Sequence, residues 1–554
     1  MKKFEWHIDY DSKQHSVHAV KKVRSRYNVS NAIAKILLNR FSSMEEMDSF
    51  LDVSYENLQC PFLFKEMESA VKRILQAKER SEKVLIHGDY DADGITSTAM
   101  LKLYFRKLNI KHFAFLPSRS LGYGLCTRAV VHAIRRKYSL IITCDCGSNE
   151  HNQIAMAKSS GIDVIVLDHH CFSKRPDVYA FINPENNDYP FKHLCAGGVT
   201  FKFLQALNKY APVDFDIRSF LDFVALATIA DVVPMIGENR IMTKIGLKTL
   251  YNSENLGIRK LIDVCSLKNR NITADVIGYI VAPKINAAGR IASPLTALKL
   301  FTTTNETNAE NISRKLANLN RKRMQIEQSI KDEAIKQAEE YAGDNFLVLS
   351  SNDWHKGIIG IVASTIVELY HKPVVIISNG YGSARTIKEV NLMDCLSKCT
   401  ELFEKFGGHE MAAGLQIRAE KIEPFRLKIN TIVNRRYEPY LKYDLKLHVS
   451  DISTTLLNDL NLFEPFGHSN NSLNFVLEDI RIASAKVTKN GQHLQLILAK
   501  DNKIFPAIGF WMADYKSKLT DPAQKIDLLF SLERGQLDNA QLVIKDLKVV
   551  NLDW

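Results

Sequence analysis

The stretch Val84-Leu85-Ile86-His87-Gly88-Asp89-Tyr90-Asp91-Ala92-Asp93-Gly94 decides the fold, because a short apolar run ends abruptly in one imidazole and three carboxylates. If the strand continued, residues 87, 89, 91 and 93 would alternate onto one face. Like charges at that spacing repel and call for a cation. Hard divalent ions prefer oxygen ligands, and manganese-like metals admit imidazole. A calcium loop or a solvated acidic turn is the bland alternative, although the spacing lacks the glycine and the twelfth-position Glu of an EF-hand.

Working outward, three more apolar runs follow the same grammar: Phe113 to Leu116, Ile141 to Cys144, and Val164 to Leu167. Each is separated from the next by a helical stretch, the alternation expected of a parallel sheet covered by helices. In such sheets ligands sit at the carboxyl ends of the strands. The second of these runs delivers Asp145 to that edge, and the third delivers Asp168, His169 and His170. Asp231 follows the apolar segment Phe223 to Ala230 and could close the same crevice from a helix end, although a plain helix-terminal role fits it equally. Carboxylates and imidazoles in this number suit a pair of metal ions about 3.5 to 4 Å apart that activates water for phosphoryl transfer. Cys144 and Cys146 flank Asp145 but lack a partner pair for zinc, so both read as packing residues, as do Cys395 and Cys399.

Three arginines sit beside small residues: Arg119 in Leu116 to Gly124, Arg290 ending Asn286-Ala287-Ala288-Gly289-Arg290, and Arg385 ending Gly382-Ser383-Ala384-Arg385. A loop in which backbone N–H groups approach an anion, joined to a guanidinium, is a phosphate grip. A single such arginine is usually just solvated. Gly407-Gly408-His409 with Ala412-Ala413-Gly414 reads as a close backbone approach ahead of a helix, which suits phosphate at a helix N-terminus and helix packing equally.

The rest of the 554-residue chain sets the frame. Lys+Arg 73 against Asp+Glu 62 leaves a net charge of +11, which favours an anionic partner. A hydrophobic share of 46% excludes a disordered chain, and the length implies three or more units. No run of 18 apolar residues and no apolar leader in the first twenty positions are present, so a soluble chain without membrane association is expected. Nine scattered cysteines suit a reducing compartment, read as the cytoplasm. Residues before 80 have helical periodicity. Between Pro294 and Gly343 no glycine or proline occurs, and Ile312, Leu316, Leu319, Ile326, Ile330 and Ala334 form one stripe, which predicts a helix of roughly 35 residues. A second α/β unit begins at Phe346, and from Pro439 short alternating runs predict a small β-barrel or sandwich.

The Gly88-to-Gly94 motif, the Thr143-to-Gly147 step, Leu167-Asp168-His169-His170 and Ala227-to-Pro234 resemble, in order, the four motifs of the DHH phosphoesterase superfamily. Trp354 to Ser364, Gly382 to Arg385 and Phe406 to Gly414 resemble its DHH-associated domain. The helical opening, the Asn286-to-Arg290 segment and the β-rich tail resemble the bacterial RecJ-type exonuclease family in particular. After Pro465-Phe466-Gly467 the chain departs from the Gly-Asn-Pro-like turn usual in that family and reads His468-Ser469-Asn470-Asn471.

The resemblance implies a parallel-sheet DHH catalytic domain joined by a long helix to a second α/β domain, plus a C-terminal OB-like β domain. The expected spans are 1–70 for the N-terminal helices, 71–304 for the catalytic domain, 305–342 for the connecting helix, 343–438 for the DHH-associated domain and 439–554 for the β domain. It implies metal ligation by His87, Asp91, Asp93, Asp145, His169 and Asp231, with Mn²⁺ or Mg²⁺ as a two-ion cofactor and Asp145 as a bridge. Asp89 and His170 would support catalysis, His170 at the scissile phosphate or leaving group. Arg119, Arg290, Ser383, Arg385, Gly408 and His409 would hold the strand's phosphates. The implied activity is 5′ to 3′ exonuclease action on single-stranded DNA, releasing 5′-mononucleotides in recombination and mismatch repair. The implied partners are a single-strand-binding protein and a RecQ-type helicase, for a chain expected to be a monomer. A pyrophosphatase, a cyclic-dinucleotide phosphodiesterase or an oligonucleotide-degrading enzyme would share the metal chemistry but give no reason for the added β domain. A catalytically silent strand-binding protein would have lost a ligand position, and none of the six is lost.

Overall fold

The computed structural model describes residues 4–9, 15–119, 122–186, 189–268, 270–489, 491–519, 524–535 and 540–550. The contacts divide the chain into two units: 58–233 with 245–438, and 1–57 with 234–244 and 439–554.

The first unit is built on strands β1 (Lys83–Gly88), β2 (Lys111–Phe115), β3 (Leu140–Cys144), β4 (Asp163–Leu167) and β5 (Ala180–Ile182). They pair in parallel in the order β2-β1-β3-β4-β5. Their β-branched runs are buried on both faces, as parallel strands covered by helices must be. The order reverses beside β1, and a crevice opens at the strand ends at such a switch point. Register does the rest: Gly88 pairs with Cys144 and Cys144 with Leu167, so Asp89, Asp145 and Asp168 leave the sheet at one level. The helix Leu221–Ala230 is mostly apolar, and eight of its residues are buried, Asp222 and Thr228 among them.

The helix Glu306–Glu340 has the 35 residues that its unbroken stripe predicts, about 50 Å at 1.5 Å per residue. Asn305 caps it by accepting from the Asn308 N–H. Its later turns bury Ile330, Ala334 and Ala338 against Leu347, Trp354, Ile358 and Val362. Leu347 belongs to a second sheet, formed by β6 (Leu347–Ser350), β7 (Val374–Ser378), β8 (Tyr381–Arg385), β9 (Phe403–Gly408) and β10 (Ala412–Ile417); Val362 lies on the helix Ile359–Tyr370, and Trp354 and Ile358 on the connection that leads into it. The order is β9-β10-β8-β7-β6, parallel between β6 and β7 and antiparallel elsewhere.

In the other unit, β11 (Leu445–Lys446), β12 (Phe475–Val487), β13 (Leu494–Lys500), β14 (Lys503–Gly509), β15 (Lys525–Arg534) and β16 (Ala540–Val549) run in the order β11-β12-β13-β14-β16-β15. A further pairing of β12 with β15 closes five of them into a small barrel. Helices Val17–Tyr27, Asn31–Arg40 and Met44–Leu51 share this unit's core, where Val23, Ile33 and Leu37 join Leu456, Phe463, Phe505 and Ile526. The departure after Gly467 is self-sufficient. Buried Asn470 donates to the Phe463 and Pro465 carbonyls and closes the turn before β12. Among the described residues, no helix is long and apolar enough to cross a membrane.

Candidate metal centre and phosphate cluster

The acidic side chains do not reach the site by alternation along one strand. Strand β1 stops at Gly88, and the helix Ala92–Lys107 begins after a short turn. Two glycines force this path. A Cβ on Gly94 would stand 2.6 Å from the Asp89 nitrogen, and one on Gly88 would stand 2.0 Å from Thr98 Oγ1. Asp91 becomes the N-cap, accepting from the Gly94 N–H at 3.3 Å. Asp93 lies in the first turn and accepts from the N–H groups of Ala196 (2.8 Å) and Gly197 (2.7 Å), which open the helix Ala196–Tyr210. A carboxylate at a helix N-terminus is favoured there.

From β3, Asp145 enters with φ +63°, a left-handed conformation that a non-glycine residue adopts at a cost. From β4, Asp168 accepts from the N–H groups of His169 (2.8 Å), Ser148 (3.1 Å) and His170 (3.3 Å) and from Nδ1 of His170 (2.8 Å). Asp231 caps the C-terminus of Leu221–Ala230, as its sequence position suggests.

Among the described residues three groups of potential ligand atoms result, each within 4.8 Å: Asp89, Asp91 and Asp145; Asp93, His169 and Asp231; and Asp145, Asp168, His169 and His170. Nε2 of His169 stands 3.3 Å from Asp145, 3.5 Å from Asp231 and 3.8 Å from Asp93. Asp145 and His169 each serve two groups. His87 belongs to none of the three, although it is fully buried.

The electrostatics explain what such a cluster accepts. Burial and then the repulsion of neighbouring carboxylates raise Asp89, Asp145 and Asp231 well above the ordinary range, and the same causes raise Asp93 to about 7. Burial lowers His169 to about 3 and His87 to about 4, keeping both imidazoles neutral, the form that can ligate a cation. His170 differs. Burial works against its charge, but Asp168 beside it raises it to about 9, while Asp168 stays well below the usual carboxylate range. Buried Asp145 Oδ1, Asp89 Oδ1, His169 Nε2 and His87 Nε2 lack hydrogen-bond partners among the described residues. Crowded acids, neutral imidazoles and unpartnered buried donor atoms fit divalent cations.

Beside the acids lies a cluster of opposite sign. Arg119 stacks over the ring of Tyr90 at 4.3 Å, and its buried Nε lacks a partner among the described residues. Arg290 bonds the Gly357 carbonyl at 3.1 Å. Arg385 bonds Ser383 Oγ at 3.2 Å and the Ala384 carbonyl at 2.7 Å. Burial and then neighbouring Arg119, with Arg323 and Arg385, lower Arg290 to about 10. A buried guanidinium lowered by its guanidinium neighbours is short of counter-charge, a state that an anion relieves.

Three local readings change here. The Asn286-to-Arg290 segment is the end of the helix Ala282–Ile291, not a loop. Its Gly289 is required because Tyr90 O would be 2.0 Å from a Cβ. Ser383 and Arg385 lie on β8, not in a loop. Gly407-Gly408-His409 turns a hairpin between β9 and β10 rather than opening a helix, because Gly408 at φ +154° admits the Ala412 carbonyl where a Cβ would be. Arg385 pairs with Ala412 and Ser383 with Gly414, so β10 separates β8 from Gly408, which pairs with Ala413. His409 is exposed within that turn. The sequence places Asp168 at a strand end without a role, and it does not single out Tyr123 or Arg323. The Tyr123 hydroxyl donates to the Asp145 carbonyl at 2.8 Å and stands 2.9 Å from His170 Nδ1. Arg323, on the long helix, pairs with Glu327 at 3.0 Å. The Arg323–Glu327 pair is an i,i+4 contact that helix spacing allows, whereas no spacing rule reveals the Tyr123 contacts.

A parallel sheet whose ends carry clustered acids and imidazoles, beside surplus arginines, defines a metal-dependent phosphoesterase class. Comparison narrows it. Residues 83–228 match the DHH family N-terminal domain, 343–435 the DHHA1 domain and 443–546 the RecJ OB domain. The single-stranded-DNA-specific exonuclease RecJ of Bacillus subtilis is 32% identical over 555 residues, covering 96% of this chain and 69% of that protein. The crystal structure of RecJ with Mn²⁺ from Thermus thermophilus matches with TM-score 0.86 at 24% identity, over 99% of this chain and 80% of that one. Another crystal structure, of exonuclease RecJ bound to manganese, matches with TM-score 0.61 at 29% identity, over 68% of this chain and 96% of that one. The chain belongs to the RecJ family of the DHH phosphoesterases.

Proposed function

We propose that this chain is a 5′ to 3′ exonuclease on single-stranded DNA, using two Mn²⁺ or Mg²⁺ ions to hydrolyse phosphodiester bonds and release 5′-mononucleotides. The observation that carries this reading is the sharing of Asp145 and His169 between ligand groups, directly beside surplus guanidiniums. His87, Asp91, Asp93, Asp145, His169 and Asp231 hold the ions, with Asp89 in support. Bound there, the ions supply a water of lowered pKa and neutralise charge at the scissile phosphate. Arg119, Arg290, Ser383 and Arg385 grip the phosphates of the strand's end, and Gly408 and His409 extend that grip along the hairpin. His170, kept cationic by Asp168, contacts the scissile phosphate and donates its proton to the departing 3′-oxygen. The 5′ to 3′ direction follows from the family resemblance. So do the place in recombination and mismatch repair, a single-strand-binding protein and a RecQ-type helicase as partners, monomeric action and a cytoplasmic setting.

The test is digestion of one strand labelled separately at its 5′ and 3′ ends, with Mn²⁺ or Mg²⁺, beside Asp93→Ala and a pyrophosphate control. Immediate release of the 5′ label as mononucleotide is expected, with a loss of several orders of magnitude in the variant while strand binding survives. An intact strand with rapid pyrophosphate turnover would keep the metal centre and overturn the substrate.

A further inference from the structure

Read from sequence, Thr143-Cys144-Asp145-Cys146-Gly147 is one acid flanked by two packing thiols. The left-handed turn at Asp145 changes the role of the second. Sγ of Cys146 lies 3.5 Å from Nδ1 of His87 and 3.6 Å from the carbonyl oxygen of Cys144, and both side chains are fully buried. A thiol has one hydrogen. Donated to the Cys144 carbonyl, it leaves only sulfur lone pairs facing His87, so Nδ1 carries the ring proton and Nε2 carries none. That Nε2 is buried and without a hydrogen-bond partner among the described residues. The ring lies nearly parallel to Phe115, with centroids 5.6 Å apart at 13°, so its plane is held as well.

We propose that Cys146 is a positioning residue for the metal centre, fixing His87 in the Nδ1–H tautomer so that a bare Nε2 lone pair is offered to a divalent cation. This rests on the metal-centre reading above. Hydrogen bonds to the far nitrogen of a ligating imidazole set its orientation and basicity, and their loss typically costs 10- to 100-fold in metal affinity. Sulfur is a weak acceptor, so the lower end, about tenfold, is expected.

The experiment uses the full chain as wild type, Cys146→Ala and Cys146→Ser. The ¹⁵N resonances of the His87 ring, assigned by their loss in His87→Gln, report the tautomer without metal. Titration of free Mn²⁺ by electron paramagnetic resonance reports affinity, and thermal melts confirm folding. The wild type should show protonated Nδ1. Cys146→Ala should show mixed tautomers and about tenfold weaker Mn²⁺ binding, and Cys146→Ser, which keeps one donor and one acceptor, should recover most of both. A wild type with protonated Nε2, or Cys146→Ala with unchanged tautomer and affinity, overturns this proposal alone. Absence of Mn²⁺ binding by the folded wild type overturns the metal centre and the proposal together.

Discussion

Asp168 and Asp222 are both buried aspartates, yet their surroundings oppose each other. Asp168 accepts three backbone N–H groups and faces a cationic imidazole, so it stays charged. Replacing it by Asn removes the charge that holds His170 protonated. Steady-state kinetics of Asp168→Asn should show kcat lower by about 10²-fold with KM little changed, the usual scale for general acid–base help. A fall in KM-controlled binding alone would exclude that role. Asp222, buried in the helix Leu221–Ala230, accepts from the Phe223 N–H and the Ser253 hydroxyl, but burial raises it to about 7. Its native pKa lies above the unfolded value of 3.8, so its contribution is fully present below that value and is lost as pH rises towards 7. Asp222→Asn should therefore gain stability over wild type progressively between about pH 4 and pH 7, levelling at a few kcal/mol above that. Urea unfolding at pH 5 and pH 8 checks this, and an equal difference at both would refute it. The acids and imidazoles of the candidate site were legible as motif residues beside strand and helix ends. The roles of Asp168 and Tyr123 were not, because side-chain hydrogen bonds leave no periodic trace.

At the scale of elements, register does what sequence spacing could not. Strands β1, β3 and β4 end at one level because Gly88, Cys144 and Leu167 are aligned across them. The alternation expected through residues 87 to 93 fails because Gly94 lets a helix fold back against Asp89. The hairpin between β9 and β10 likewise replaces an expected helix start. Pairing of β10 with β8 sets Arg385 opposite Ala412, and the side chain contributes charge from a strand end. Filter binding across a salt series should find Arg385→Ala weaker than wild type, with the slope of log affinity against log salt shallower by about 1. An unchanged slope would remove Arg385 from the phosphate path.

At the scale of the whole molecule, the catalytic unit keeps mutually repelling acids buried, a cost that cation binding offsets. Each Mn²⁺ site filled at about 100 times its Kd should raise native stability by about 2.7 kcal/mol. Asp145→Asn should abolish that increase while making the metal-free chain more stable than wild type, because it removes the carboxyl shared by two ligand groups. Thermal melts with Mn²⁺ and with chelator test both halves, and a full Mn²⁺ shift in the variant would deny the shared ligand. Hydrophobic periodicity, a local property, determined from sequence alone the parallel sheet, the 35-residue helix, the second α/β layer and the β-rich tail. Motif residues likewise marked the acids and three of the arginines. Only the tertiary structure decided that residues 17–51 share a core with the tail, that the arginine at 290 comes from a helix end, and that His87 meets a thiol. Those outcomes depend on close approaches between segments distant in sequence, set by glycine clearances, strand register and burial, which no one-dimensional pattern encodes.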